Sequence, residues 1–165
     1  MSEATNRPLQ RVIFDCNIYL QAAASSGGPA FACLEMAEQG LFSLVVSADI
    51  LTEVRDVLNR VSVQKKIPKL TSAVANGFLI RVTEAANFVT PVPALITFDR
   101  DPKDQPYLNL ALAAGASFIV TRDKDMLDLA LEESEEGSRL RSAIPGFSVL
   151  DPASFLREMR ARTEE

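Results

Sequence analysis

The sequence predicts one α/β domain in which helices cover both faces of a mainly parallel sheet. Short apolar stretches lack the strict alternation of a half-exposed strand, which is typical of strands buried on both faces. Longer segments with apolar residues at helical spacing separate them along the chain. A chain of 165 residues suits one domain with a sizeable core and is short for two. We expect a loose tail at residues 1–10, the domain at 11–156, and the end of the last helix with a C-terminal tail at 157–165.

Short apolar stretches predict the strands. Each contains Val, Ile, Leu or Phe and is bounded by polar residues, glycine or proline, as strands of a covered sheet commonly are. Pro91 and Pro93 end the third stretch because proline cannot donate to a strand ladder. The predicted strands are 11-RVIFD-15, 43-SLVVS-47, 86-ANFVTPV-92, 117-SFIVT-121 and 146-GFSVLD-151.

Segments with helical spacing predict the helices. The clearest is 48-ADILTEVRDVLNRV-61, where apolar residues recur with the helical period. Pro29 and Pro106 suit the first turns of helices, and Gly40 and Gly115 suit helix ends. The other predicted helices span residues 17–25, 29–42, 71–85, 106–114, 124–133 and 152–161.

The composition excludes several kinds of active site. The chain has no histidine, which rules out Ser-His-Asp and Cys-His catalysis, histidine general bases and most zinc sites. The two cysteines, Cys16 and Cys33, do not form a C-x-x-C pair, and we expect them to be free, buried thiols. Any catalysis must therefore use carboxylates, hydroxyls, lysines or a metal ion held by oxygen atoms.

The charge is acidic overall but unevenly distributed. A net charge of −5 and a pI near 4.9 make the whole surface a poor attractor for nucleic acid, whose binding depends on Lys and Arg. The segment 60-RVSVQKKIPK-69, however, carries four cations and no acid. No apolar run reaches the roughly 18 residues of a membrane span, and 1-MSEATNRPLQR-11 lacks the apolar region of a signal peptide. We therefore expect a cytoplasmic protein that does not enter a membrane.

Four carboxylates stand at or just beyond predicted strand ends, where open parallel sheets bind their ligands. Asp15 ends the first strand and Asp123 follows the fourth. Glu53 lies early in the helix after the second strand, and Asp104 precedes the helix at 106–114. These loops would bring the acids to one edge of the sheet. Hard oxygen ligands suit Mg²⁺ or Mn²⁺, and a cation removes the repulsion among crowded carboxylates.

Each of these residues also has a local interpretation. An Asp at a helix start is a common cap or turn residue, and Glu53 alone suits the exposed face of its helix. Asn17 and Thr121 would orient the carboxylates with neutral oxygens, although Asn17 also suits a helix cap. It is the shared placement after strands that favours a metal site over these separate explanations.

Other aspartates in the same region carry weaker indications. Asp101 and Asp125 are either additional metal ligands or ordinary charges of a turn and a first helical turn. Asp99 and Asp128 are expected to be loop and surface charge.

The pattern as a whole resembles the PIN domain, in particular bacterial PIN proteins described as toxin components of toxin–antitoxin systems. The resemblance covers roughly residues 11–156. Its most specific block combines D-P-x-D, an Ala- and Leu-rich helix and a T-x-D-x-D motif. The matching blocks are 12-VIFDCNIYL-20, 47-SADILTEVRDVL-58, 101-DPKDQPYLNLALAAGASFIVTRDKDML-127 and 149-VLDPASFL-156. One departure is 132-EESEEGSRLRS-142, which we interpret as a longer connection before the last strand.

The resemblance implies a Rossmann-like three-layer α/β/α sandwich and an endoribonuclease that cleaves single-stranded RNA with Mg²⁺ or Mn²⁺. By position, the catalytic and metal-binding acids are Asp15, Glu53, Asp104 and Asp123. The implied reaction is hydrolysis of a phosphodiester by a metal-activated water, with Glu53 either acting on that water or completing a second metal site. The implied supporting residues are Asn17, Thr121, Asp101 and Asp125.

The resemblance also implies partners. Cations that would guide the RNA backbone are Arg60, Lys65, Lys66, Lys69, Arg122 and Lys124, although each also suits a solvated basic face. A cognate antitoxin and a homodimer, formed through the helical half at residues 30–85, follow from the resemblance alone.

Other protein classes account for the acids less well. A haloacid-dehalogenase-type phosphatase needs a second Asp where this chain has Asn17, and a receiver domain fits the block at 101–125 poorly. The alternative that stays open is a non-catalytic PIN-like scaffold that binds RNA or protein.

Overall fold

The computed structural model describes residues 8–129 and 134–164. Within them, five strands form one all-parallel sheet in the order β3-β2-β1-β4-β5. Helices flank the sheet, and the predicted three-layer α/β sandwich is confirmed. The strands are β1 (Arg11–Phe14), β2 (Ser43–Val46), β3 (Ala86–Phe88), β4 (Phe118–Val120) and β5 (Ser148–Leu150).

Helical segments lie between successive strands, as parallel pairing requires. A short 3₁₀ turn at Pro102–Asp104 leads directly into α6. The α-helices are α1 (Cys16–Ala24), α2 (Pro29–Glu38), α3 (Ala48–Leu58), α4 (Val61–Lys66), α5 (Ser72–Ala85), α6 (Gln105–Ala114), α7 (Lys124–Asp128), α8 (Glu135–Ala143) and α9 (Pro152–Thr163).

The apolar core surrounds the central strand, whose residues Val12, Ile13 and Phe14 are almost completely buried. A row of aromatic rings ties the sheet to the last helix. Ring centroids lie 6.0 Å apart for Phe14 and Phe42, 5.2 Å for Phe42 and Phe155, and 5.6 Å for Phe118 and Phe155. This packing holds β1 and β4 rigidly side by side, which matters because both strands end at the site described below.

The predicted helix at 48–61 and the predicted strand at 86–92 are both shorter in the structure. The helix predicted at 48–61 ends at Leu58, and the cationic segment after it forms the separate helix α4. The strand predicted at 86–92 is confined to Ala86–Phe88, since the prolines beyond it have no N–H to pair.

The region before the last strand differs from the prediction. The helix predicted at 124–133 ends at Asp128, and residues 130–133 lie outside the described ranges. The described part of the predicted connection at 132–142 belongs to helix α8. Ser134 caps it by accepting a hydrogen bond from the Gly137 N–H at 3.0 Å, and Glu135 and Glu136 occupy its first turn, where negative charge is stabilised.

The predictions for the two cysteines and for a membrane-spanning helix concern the same described residues. Cys16 and Cys33 are free and buried, as predicted. Across residues 8–129 and 134–164, no helix has both the length and the apolar character to cross a membrane. The predicted tail at residues 1–10 falls mostly outside the described chain.

Candidate metal centre

The register of β1 and β4 brings the first two site residues together. Phe14 pairs with Val120 at the carboxyl ends of the two parallel strands, so Asp15 and Thr121 follow side by side. The Thr121 hydroxyl donates to Asp15 Oδ2 at 2.7 Å and accepts a hydrogen bond from the Asp123 N–H at 2.9 Å. The fully buried Thr121 hydroxyl therefore links the Asp15 side chain to the backbone of Asp123.

Asp15 is both a helix cap and a member of the site. Its Oδ1 accepts from the Cys16 N–H at 2.6 Å at the start of α1, while Oδ2 accepts from Asn17 Nδ2 at 3.2 Å. The pKa of Asp15 is raised to about 6, chiefly by burial, with the charge of Asp123 acting in the same direction and the hydrogen bonds from Thr121 and Cys16 opposing it. The local interpretation and the site interpretation are therefore compatible.

Asp104 lies at the junction of the 3₁₀ turn and α6 and is only 4% exposed. Its side chain does not cap the helix, and the buried Oδ2 atom has no hydrogen-bond partner among the described residues. The pKa of Asp104 is raised to about 8, chiefly by burial and also by the neighbouring charges of Asp123 and Asp15. A buried carboxylate oxygen without a partner is costly unless something outside the chain satisfies it.

Asp123 completes a group that we call the inner trio: Asp15, Asp104 and Asp123. Carboxylate oxygens of these three residues all lie within 4.8 Å of one another. Asp123 also caps α7, because its Oδ1 accepts from the Asp125 N–H at 2.8 Å. Three acids from three separate segments thus converge at the edge where β1 and β4 end.

The inner trio fits a hard divalent cation. It offers only carboxylate oxygens, the ligands that Mg²⁺ and Mn²⁺ prefer. The unpaired Oδ2 of Asp104 and the mutual repulsion that raises the pKa values of Asp104 and Asp15 would both be relieved by a bound cation.

A second group, the outer trio, comprises Asp101, Asp123 and Asp125, whose carboxylate oxygens also lie within 4.8 Å of one another. Asp101 caps the 3₁₀ turn through the Lys103 N–H at 3.1 Å. Arg100 Nε lies 2.8 Å from Asp125 Oδ1. The outer trio is therefore half-exposed and already has a cation beside it.

The two aspartates that were predicted to be loop or surface charge differ from each other. Asp99 is exposed. Asp128 is half-buried, and its Oδ2 accepts from Arg100 Nη2 at 2.9 Å. Arg100 thus links the loop before the 3₁₀ turn to α7.

Glu53 lies at the same edge but outside both trios. It is half-buried on α3, and its charge contributes to the raised pKa of Asp15, yet it forms no group of three acids within 4.8 Å among the described residues. Tyr107, which the sequence analysis did not single out, donates its hydroxyl hydrogen to Glu53 Oε2 at 2.9 Å. The sequence places Tyr107 three residues after Asp104, but it does not indicate the contact with Glu53.

Comparison with known proteins identifies the family. A family model described as the PIN domain matches residues 11–125, well over half of the chain. The chain belongs to the PIN domain family. Comparison with curated proteins and with solved structures gives no significant match. PIN domains are typically metal-dependent nucleases, so family membership and the inner trio together indicate a divalent-metal-dependent nuclease of the hydrolase class that acts on nucleic acid.

The six predicted RNA-binding cations of this PIN domain fall into two exposed groups. Arg122 and Lys124 flank Asp123 directly in sequence. The other group occupies α4 and its ends. Arg60 lies close enough to the site for its charge to lower the strongly raised pKa of the Cys16 thiol. The remaining members of that group are Lys65, Lys66 and Lys69.

Proposed function

We propose that this PIN domain protein is an Mg²⁺- or Mn²⁺-dependent endoribonuclease that cleaves single-stranded RNA. The observation that carries the proposal is the inner trio, in which a buried Asp104 oxygen without a partner faces two other carboxylates. A protein that needed Asp104 only for folding would pair or expose its carboxylate.

In this proposal Asp15, Asp104 and Asp123 hold the divalent ion. When bound, the ion lowers the pKa of a coordinated water and stabilises charge on a phosphoryl oxygen. Thr121 and Asn17 keep the Asp15 carboxylate in place through their hydrogen bonds to Oδ2. The hydrolysis adds a water oxygen to phosphorus and releases one ribose oxygen, which leaves with a proton.

Glu53 is the proposed proton acceptor for the attacking water. Its position beside Asp15 but outside the inner trio suits a group that acts on water more than a direct ligand. We propose Asp101 and Asp125 as helpers that draw cations towards the site. Arg100 already balances Asp125, so their contribution to metal binding is expected to be smaller.

The exposed cations define the proposed path of the RNA backbone. Arg122 and Lys124 stand beside Asp123 and would contact phosphates next to the cleaved bond. Arg60, Lys65, Lys66 and Lys69 on and around α4 would guide the strand towards the site. Because the protein as a whole carries a net charge of −5, binding depends on this local distribution.

A role as the toxin of a toxin–antitoxin pair, with a cognate antitoxin and a homodimeric assembly, is supported by the resemblance of the sequence blocks. A cytoplasmic location likewise remains a prediction from sequence. Toxicity is tested by induced expression in a bacterial host, where wild type should arrest growth and Asp15→Asn should not. A small DNA-binding protein encoded beside the gene, able to restore growth, would support the antitoxin.

The direct test of the nuclease proposal is cleavage of single-stranded RNA of mixed sequence by purified protein with Mn²⁺. We expect wild type to cut it, the same RNA in a duplex to resist, and Asp15→Asn to lose about 100- to 1,000-fold in rate. Asp56→Asn is the control, because Asp56 is exposed on α3. If wild type cuts no faster than Asp15→Asn on any RNA, the nuclease proposal is wrong and a non-catalytic scaffold is favoured.

A further inference from the structure

The two tyrosines of the chain occupy comparable positions in the core but differ in their hydroxyl contacts. Tyr19 and Tyr107 are each only 1% exposed. The Tyr19 hydroxyl is buried without a hydrogen-bond partner among the described residues. The Tyr107 hydroxyl, in contrast, has two partners, and both belong to the candidate site. The contrast indicates that the Tyr107 hydroxyl has a task beyond filling space.

Tyr107 connects three segments of the site. It lies on α6, which begins just after Asp104. Its hydroxyl oxygen accepts from the Cys16 N–H at 3.2 Å at the start of α1, and its hydrogen is donated to Glu53 Oε2 on α3 at 2.9 Å. The same Cys16 N–H donates to Asp15 Oδ1 at 2.6 Å. The phenol therefore lies between the carboxylates of Asp15 and Glu53.

The direction of these hydrogen bonds follows from the chemistry of the groups. A backbone N–H can only donate, so the Tyr107 oxygen must accept from Cys16. A hydroxyl has one hydrogen, which leaves it to be donated to Glu53 Oε2. Glu53 Oε2 accepts this hydrogen bond, which anchors one end of the carboxylate. Oε1, at the other end of the anchored carboxylate, is suited to accept a proton from water.

We propose that Tyr107 is a positioning residue that fixes the Glu53 carboxylate beside the inner trio with Oε1 turned to the attacking water. The proposal rests on the proposed function, in which Glu53 accepts that proton. A half-buried glutamate has several rotatable bonds and loses its orientation without an anchor. The buried tyrosine ring is a rigid anchor because packing fixes its rotamer. Positioning matters because small displacements of a reacting group reduce the rate strongly.

The first test compares Tyr107→Phe with Tyr19→Phe, because each change removes one buried hydroxyl and keeps the ring. For Tyr107→Phe we expect kcat on single-stranded RNA to fall roughly 10- to 100-fold, with KM, Mn²⁺ affinity and melting temperature near wild type. Tyr19→Phe should stay within about 2-fold of wild-type kcat, since its hydroxyl makes no bond among the described residues.

A double-mutant cycle separates positioning from a structural role. If Tyr107 acts through Glu53, Tyr107→Phe should cost less than about 2-fold in a Glu53→Gln background. An equal loss of kcat in both backgrounds overturns the proposal. A combined loss of kcat, Mn²⁺ affinity and melting temperature in Tyr107→Phe also overturns it, because that pattern describes a damaged fold.

The second test does not depend on activity. Crystal structures of wild type and Tyr107→Phe should show one Glu53 rotamer in wild type and several in the variant. If Glu53 keeps its position in Tyr107→Phe, the positioning proposal is wrong whatever the enzyme assays show. If wild type cuts no RNA but Glu53 still loses its orientation in the variant, the proposed function fails and the positioning role of Tyr107 stands.

Discussion

The inner and outer trios each contain three aspartates whose carboxylate oxygens lie within 4.8 Å of one another, share Asp123, and nevertheless differ in what they require. In the inner trio, Asp15 and Asp104 are 6% and 4% exposed. In the outer trio all members are half-exposed, and Arg100 pairs with Asp125. Burial without a counter-charge, more than the number of acids, therefore distinguishes a candidate metal centre from a surface cluster.

The difference has an energetic basis. Water and Arg100 reduce the repulsion within the outer trio, and exposed ion pairs of this kind contribute little to stability. The inner trio has no such relief in the described structure, and the pKa values of Asp15 and Asp104 are raised. Strongly perturbed acids in one place are typical of functional sites.

The largest expected effect is on cleavage. Asp104→Asn, which removes a charge from the inner trio, should lower the rate of RNA cleavage by about 100- to 1,000-fold. Asp125→Asn, the matched change in the outer trio, should lower it by about 10-fold or less, because Arg100 already balances that acid. The measurement is the single-turnover rate with saturating Mn²⁺. Equal losses for the two variants would show that burial does not separate the trios.

A second effect concerns the pH dependence of stability without metal. The folded pKa values of Asp104, about 8, and Asp15, about 6, lie above the ordinary 3.8. Between pH 4 and 8 the folded protein therefore binds more protons than the unfolded chain, and stability falls as pH rises through this window. We expect the melting temperature in EDTA to fall from pH 5 to pH 8.

Asp104→Asn should remove most of this fall, because the residue no longer ionises. The control is Asp56→Asn, which neutralises an exposed acid and should keep the wild-type pH profile. A wild-type melting temperature that rises from pH 5 to pH 8 in EDTA would contradict the account.

The smallest expected effect is the change in stability when Arg100, the cation beside the outer trio, is replaced. Arg100→Gln removes the ion pairs to Asp125 and Asp128, which are partly exposed. We expect a stability change below about 1 kcal/mol, which is a shift in melting temperature of no more than roughly 2–4 °C, and unchanged Mn²⁺ affinity at the inner trio. Chemical denaturation and Mn²⁺ titration measure the two quantities. A large loss of Mn²⁺ affinity would mean that Arg100 supports the inner trio as well.

Much of this arrangement could be predicted from the sequence. Apolar strands end on Asp15 and just before Asp123, and parallel strands place their carboxyl ends at one edge, so local patterns suffice to bring these acids together. The start of α6 could likewise be predicted from Pro106 and the aspartates before it. These features depend on neighbouring residues and on the general geometry of parallel sheets.

Other features depend on contacts between distant segments and could not be predicted. The hydrogen bond between Tyr107 and Glu53 joins residues 54 positions apart. The sequence around Tyr107 indicates only an apolar residue of a helix. Asp125 pairs with Arg100, and the direction of the Arg100 side chain depends on how the loop before the 3₁₀ turn packs. Helix α8 was missed because the four acids on both sides of Ser134 obscured the cap that this serine forms.

We expect the inner trio to bind a divalent cation in the folded protein, and a Mn²⁺ titration of the melting temperature measures this binding. Binding to the folded state alone at 100 times Kd stabilises by about 2.7 kcal/mol, which corresponds to roughly 5–10 °C for a chain of this size. We expect that shift for wild type and for Asp125→Asn, and its near-complete loss in Asp104→Asn. No shift in wild type, or an equal shift in Asp104→Asn, would contradict it.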